Sequence, residues 1–148
     1  MRTAQAMQQI QFPTPSEKQL QFMRCKKKYV AYGGARGGGK SHIVRWLAIL
    51  LALIFSGIRI LIMRKTYPEL VKNHIDPMKR ILRSNEKRKR DRIATYNGTE
   101  KKFTFKNGST IEFQFCQRED DLEKIQGGEW DIIAIDEATH FLEEWIKK

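Results

Sequence analysis

The stretch AYGGARGGGKSHIV (31–44) places five glycines within residues 33–39, follows them with Lys40 and Ser41, and then turns apolar. Such a backbone can point its N–H groups inward around an anion, because glycine adopts positive φ and leaves no side chain in the way. Residues 34–41 fit G-x-x-x-x-G-K-S/T, the phosphate-cradling loop in which the lysine reaches the β- and γ-phosphates and the hydroxyl sits on magnesium. The candidate nucleotide-binding residues are therefore Gly34, Ala35, Arg36, Gly37, Gly38, Gly39, Lys40 and Ser41, with Ser41 also a metal ligand. The pattern needs a strand before it and a helix after it. KYVAY (28–32) is a short β-prone run, and SHIVRWLAILLALIF (41–55) has the length and residue types of a buried helix. A helix starting at Lys40 aims its positive end at the same anion.

The flanking segments extend this strand, loop and helix into an α/β fold. IRILIMR (58–64) is dense in β-branched residues, as expected of a strand covered on both faces in a parallel sheet, and Gly57 supplies the turn before it. From Pro68 to Arg83 the apolar spacing suits a helix, or two broken at Pro77. KKFTFKNGSTIEFQF (101–115) alternates apolar and polar on either side of Asn107-Gly108, a hairpin signal that puts Phe103, Phe105, Ile111, Phe113 and Phe115 on one face. Asp131 to Ile135 reads as another buried strand, ending at Asp136 and Glu137. FPTPSEKQLQFM (12–23) reads as a short helix capped by Ser16. The expected architecture is a P-loop NTPase of the RecA-like (ASCE) kind: a mainly parallel sheet flanked by helices, with a β-hairpin before the last strand.

A strand beside the glycine-loop strand can deliver Asp136 to the magnesium shell through water, while Glu137 polarises an attacking water. The alternative is a helix first turn decorated with carboxylates, which the helix dipole favours. Arg36 can meet the γ-phosphate or a transition-state oxygen, or equally an acid on a neighbouring chain. The 148 residues suffice for one core, and a net charge of +11 suits a polyanionic partner. Cys25 and Cys116 lie far apart without metal-ligand spacing. His42, His74 and His140 show no ligand spacing either and read as structural or surface residues, while Trp46, Trp130 and Trp145 read as core. The longest apolar run, Ile43 to Phe55, is too short to cross a bilayer, so a soluble intracellular protein without membrane contact is expected.

YGGARGGGKS, IRILIMRKTYPEL, the FKNGSTIEF hairpin and IQGGEWDIIAIDEATHF together resemble the ATPase domain of the large terminase subunit of tailed bacteriophages, from about residue 12 to the end. The resemblance implies an ATP- and magnesium-dependent motor that drives double-stranded DNA into procapsids. It would work in the host cytoplasm at the portal protein, with a small terminase subunit and self-assembly into a ring. It implies Lys40 and Ser41 as phosphate and magnesium contacts, Asp136 as the Walker B acid and Glu137 as the catalytic carboxylate. Gln19, in an N-terminal segment 1–28 ahead of the core 29–148, resembles the glutamine that reads adenine; a solvent-facing helix glutamine is the alternative. The family's coupling motif and nuclease domain follow later strands than this chain contains, so an N-terminal portion with slow turnover and no nuclease is expected.

Residues 79–92, KRILRSNEKRKRDR, carry eight basic and two acidic side chains, readable as a solvated run or as a DNA-backbone patch. Two other functions compete with the motor. The DEAT quartet (136–139) resembles helicase boxes, against which the hairpin and RKTYPEL argue. A binding module that holds nucleotide or DNA without turnover is the second.

Overall fold

The computed structural model describes residues 17, 40–64, 66–115 and 128–135. Helix α1 (Lys40–Ile54) leads through a tight turn into strand β1 (Arg59–Arg64). There follow a helical run made of α2 (Tyr67–Leu70), a π-helical turn (Val71–Ile75) and α3 (Asp76–Ile81), then a 3-10 turn at Lys89–Asp91. Strands β2 (Ala94–Asn97), β3 (Lys102–Phe105), β4 (Thr110–Phe115) and β5 (Ile132–Ile135) complete one sheet of order β2-β3-β4-β1-β5.

Of the five strands among the described residues, β4, β1 and β5 are mutually parallel, and β2 and β3 extend them as an antiparallel pair. The strand expected at 28–32 and the helix expected at 12–23 lie outside the described residues, Glu17 excepted. The apolar run at 58–64 explains the centre: Ile60 to Met63 are all buried, as a strand covered on both faces must be. Ile60 and Ile62 face α1, α2 and α3, in one cluster with Ile49, Ala52, Leu70, Met78, Phe103 and Phe113. Strand β5 departs from its expected burial, since Ile133 is 49% exposed. Among the described residues it has a sheet partner on one side only, β1.

The break expected at Pro77 takes the form of a widened turn within a continuous helical run. Proline has no N–H and its ring crowds the carbonyl four residues back, so the Asn73 carbonyl has no donor at residue 77. The preceding turn opens to π geometry, and the Arg45 guanidinium of α1 donates to that Asn73 carbonyl instead. That contact ties the π-helical turn to α1. The run ends in a Schellman motif, Ser84 N to Lys79 O at 3.0 Å and Arg83 N to Arg80 O at 3.4 Å, with Arg83 in the left-handed region (φ 54°) where glycine is usual.

The hairpin forms about Asn107-Gly108 as a three-residue connection, with Gly108 (φ 86°) supplying the left-handed step. Phe105 N donates to Ser109 O at 2.9 Å, and Gly108 N to Phe105 O at 3.0 Å. The register pairs Phe103 with Ile111, so the expected apolar face is the observed one: Phe103, Phe105, Ile111 and Phe113 are buried and Phe115 is partly so.

The hairpin tip also caps α1, whose last carbonyls lack partners within the helix. Asn107 Nδ2 donates to Ala52 O at 2.9 Å, and Ser109 Oγ to Phe55 O at 2.7 Å. Asn107 Oδ1 accepts from Ser109 N at 3.0 Å, which fixes the amide in place. Asn107→Ala is expected to cost about 1–2 kcal/mol, seen as a lower urea midpoint at unchanged slope.

Strand β2 was not among the elements expected from the sequence. Its signal was a second Asn-Gly pair, Asn97-Gly98, where Asn97 Oδ1 accepts from Thr99 N at 2.9 Å and Glu100 N at 3.1 Å. On it, Tyr96 packs edge-on against Phe103 with ring centroids 4.7 Å apart. Burial first, then the neighbouring Tyr67 and Asp76, push the Tyr96 phenol up to about 12 from its ordinary value near 10. The folded chain thus holds a proton that the unfolded chain releases sooner, so this contribution to stability is present below pH 10 and lost as pH rises from 10 to about 12. Tyr96→Phe should flatten that fall in urea midpoints measured across this range.

Candidate functional site

Helix α1 returns antiparallel to β1, so its first residue, Lys40, lies at the end of the sheet where the parallel strands finish. In open α/β sheets ligands bind in the crevice at that end. The helix is about 22 Å long, enough for a developed dipole, and its first turn carries no acidic residue to satisfy the positive end. An anion therefore gains there from both the orphan N–H groups and the dipole.

Three strands deliver residues to the same end. Strand β1 ends in Arg64, which is 8% exposed and holds Nε 3.6 Å from Glu69 Oε2 on α2. Strand β4 ends alongside at Phe115, in register with Arg64. Strand β5 ends at Ile135, with Met63 paired to Ile135, and Asp136 and Glu137 come next in the sequence. Arg64 was not among the expected site residues; its signal is a charged residue closing an otherwise apolar strand. Its charge is paired with the Glu69 carboxylate of α2 within the fold.

His42, one residue after Ser41, stacks edge-on against Trp46, with centroids 6.1 Å apart. Its Nδ1 lies 3.5 Å from Arg45 Nη2. Burial and then the Arg45 charge lower its pKa below the ordinary 6.5, so the ring is neutral near pH 7 and adds no charge to the site. His74 is fully buried within the π turn. Both are placed as structural histidines, as expected. Trp46 packs against the core, and Trp130 lies under the Arg59 guanidinium at 5.0 Å.

Of the expected site residues, Lys40 and Ser41 are described as the first residues of α1. Gln19, Gly34, Ala35, Arg36, Gly37, Gly38, Gly39, Asp136 and Glu137 lie outside the described residues, as do Cys25, Cys116, His140 and Trp145. Among the described residues no group of three or more His, Cys, Asp or Glu side chains could hold a metal ion, and no helix is long and apolar enough to cross a membrane.

Two solved structures match the fold. One is the large terminase from a thermophilic bacteriophage, with a TM-score of 0.64 and 21% identity over 90% of this chain and 35% of that one. This chain has a large-terminase fold. The second is the same phage's large terminase in complex with ATP-gamma-S, with a TM-score of 0.60 and 22% identity over 89% of this chain and 33% of that one. The chain thus spans about a third of the length of each. The mixed α/β sheet, with parallel β4, β1 and β5 and helices packed on it, agrees with the α/β architecture expected from the sequence. No protein-family model matches the chain, and no curated protein sequence matches it significantly.

Proposed function

We propose that the chain is the ATP-binding and hydrolysing part of a motor that packages double-stranded DNA into phage procapsids. The observation that carries this reading is the start of α1 at Lys40. The last residue pair of the glycine-loop pattern opens a long helix at the strand-end side of a sheet with a large-terminase fold. The neighbour in complex with ATP-gamma-S supports nucleotide as the anion.

The residues present suit magnesium-ATP, because an acid-free helix start favours a polyphosphate at that end. Residues 34–39 would wrap the phosphates with backbone N–H groups, and Lys40 would reach the β- and γ-phosphates. Ser41 and Asp136 would hold the metal, which when bound neutralises the charge developing on the phosphates. Glu137 would orient and polarise the attacking water, Arg36 would meet the γ-phosphate, and Gln19 would pair with the adenine edge. Duplex DNA, a portal protein, a small terminase subunit and further copies in a ring are the proposed partners, in the cytoplasm of the bacterial host.

The test is phosphate release with and without duplex DNA, beside nucleotide binding. Binding is expected with release slower than several ATP per second, and Glu137→Gln should abolish release while leaving binding intact. Release that survives Glu137→Gln unchanged would overturn the assignment.

A further inference from the structure

The two ends of the sheet differ in chemistry. The end described above collects groups that attract phosphate, whereas the opposite end, where the parallel strands begin, carries exposed apolar and aromatic groups beside a dense cluster of cations. There Ile54 and Phe55 are 50% and 54% exposed. Their exposure is not that of a loose loop. The Phe55 carbonyl accepts from Ser109 Oγ at 2.7 Å and from Ile58 N at 3.4 Å, and Ser56 Oγ donates to Asn107 O at 2.8 Å. The backbone is pinned and the phenyl ring is held outward.

Cations flank this pair on both sides. Toward β2, Lys106 Nζ donates to Arg90 O at 3.0 Å, joining the hairpin tip to the 3-10 turn, so that exposed Arg88, Lys89 and Arg90 continue the same surface. Residues 83–92 alone hold six basic and two acidic side chains. Toward β5, the exposed Arg59 stacks over the partly exposed Trp130, and its own N–H donates to Asp131 Oδ2 at 2.9 Å.

From these observations we propose that the end of the sheet around Phe55 is a docking face for an acidic protein segment bearing an apolar side chain. Phenylalanine, tryptophan and arginine are the residue types enriched where proteins bind proteins, and a rim of charge around a rigid aromatic anchor lowers the ordering cost of binding. The excess of basic residues selects an acidic occupant. Duplex DNA would engage the cations through its phosphates but would leave Ile54 and Phe55 facing water, whereas a protein segment covers both. The face lies a helix length from Lys40, so its occupant and a nucleotide bind without competing.

The test uses the intact chain and a fluorescent synthetic peptide with glutamates and leucines at helical spacing. Polyglutamate of equal length and a short DNA duplex serve as comparison ligands. The peptide is expected to bind at least about tenfold tighter than polyglutamate, and Phe55→Ser to remove that advantage. The combined Arg88→Glu, Lys89→Glu and Arg90→Glu variant should weaken both ligands, with circular dichroism confirming that each variant is folded. Hydrogen exchange on the wild-type chain should show the peptide protecting residues 54–59, a readout that needs no variant. Equal binding of the two ligands, no effect of Phe55→Ser, or absence of protection at 54–59 would overturn the proposal. So would duplex DNA that binds more tightly than the peptide at physiological salt and is indifferent to Phe55→Ser, which would assign this end to nucleic acid.

Discussion

Lys40→Ala is expected to weaken magnesium-ATP binding roughly 100-fold, equivalent to about 3 kcal/mol for the loss of charge-assisted contacts to phosphate. The size of the effect follows from where the helix begins. Lys40 is the first residue of α1, at the end of the sheet where the parallel strands finish, so its charge adds to the helix dipole and does not act in isolation. The substitution should leave the fold intact, because alanine is the best helix former. Isothermal titration calorimetry gives the affinity, and a urea titration of the same variant shows whether stability has changed. An affinity loss without a stability loss would separate a phosphate contact from a structural role.

Phe103→Ala carries the largest expected cost in stability. Phe103 is fully buried, and its ring stands edge-on between Tyr96 at 4.7 Å and Phe113 at 5.8 Å. Truncation removes both aromatic contacts and opens a cavity in the middle of the apolar cluster, at a cost of about 3–5 kcal/mol. Against a total of about 5–15 kcal/mol for an ordinary domain, that loss is large enough to unfold a measurable fraction of the chain at physiological temperature. Urea denaturation should show the midpoint falling by about half. Because β3 lies two strands from β1, nucleotide affinity measured on the folded fraction should change little.

The contrast between what the sequence disclosed and what it concealed has a physical basis. Strand β1 was legible because four successive apolar residues, Ile60 to Met63, between a turn glycine and a flanking arginine suit a short strand buried on both faces. The β3–β4 hairpin was legible because alternation and Asn107-Gly108 agreed on one register. Strand β2 escaped because it is four residues long, at the edge of the sheet, and follows a charged run that dominates its window. The Arg45 contact to the Asn73 carbonyl and the capping of α1 by Asn107 escaped for another reason. Each joins positions far apart in the chain, 28 and 55 residues respectively, and no local pattern encodes such a partner. In the candidate site, the motif announced Lys40 and Ser41 through residue type and spacing. Arg64 carries no motif and became visible only through its burial at the end of β1.

The proposed function depends on a nucleotide seated at the start of α1. Magnesium-ATP-gamma-S titrated into the wild-type chain in a calorimeter decides the matter, with circular dichroism confirming that the sample is folded. Saturable binding at one site per chain, lost in Lys40→Ala, is the expected result. A folded wild-type chain that releases no heat and shows no saturation would contradict it.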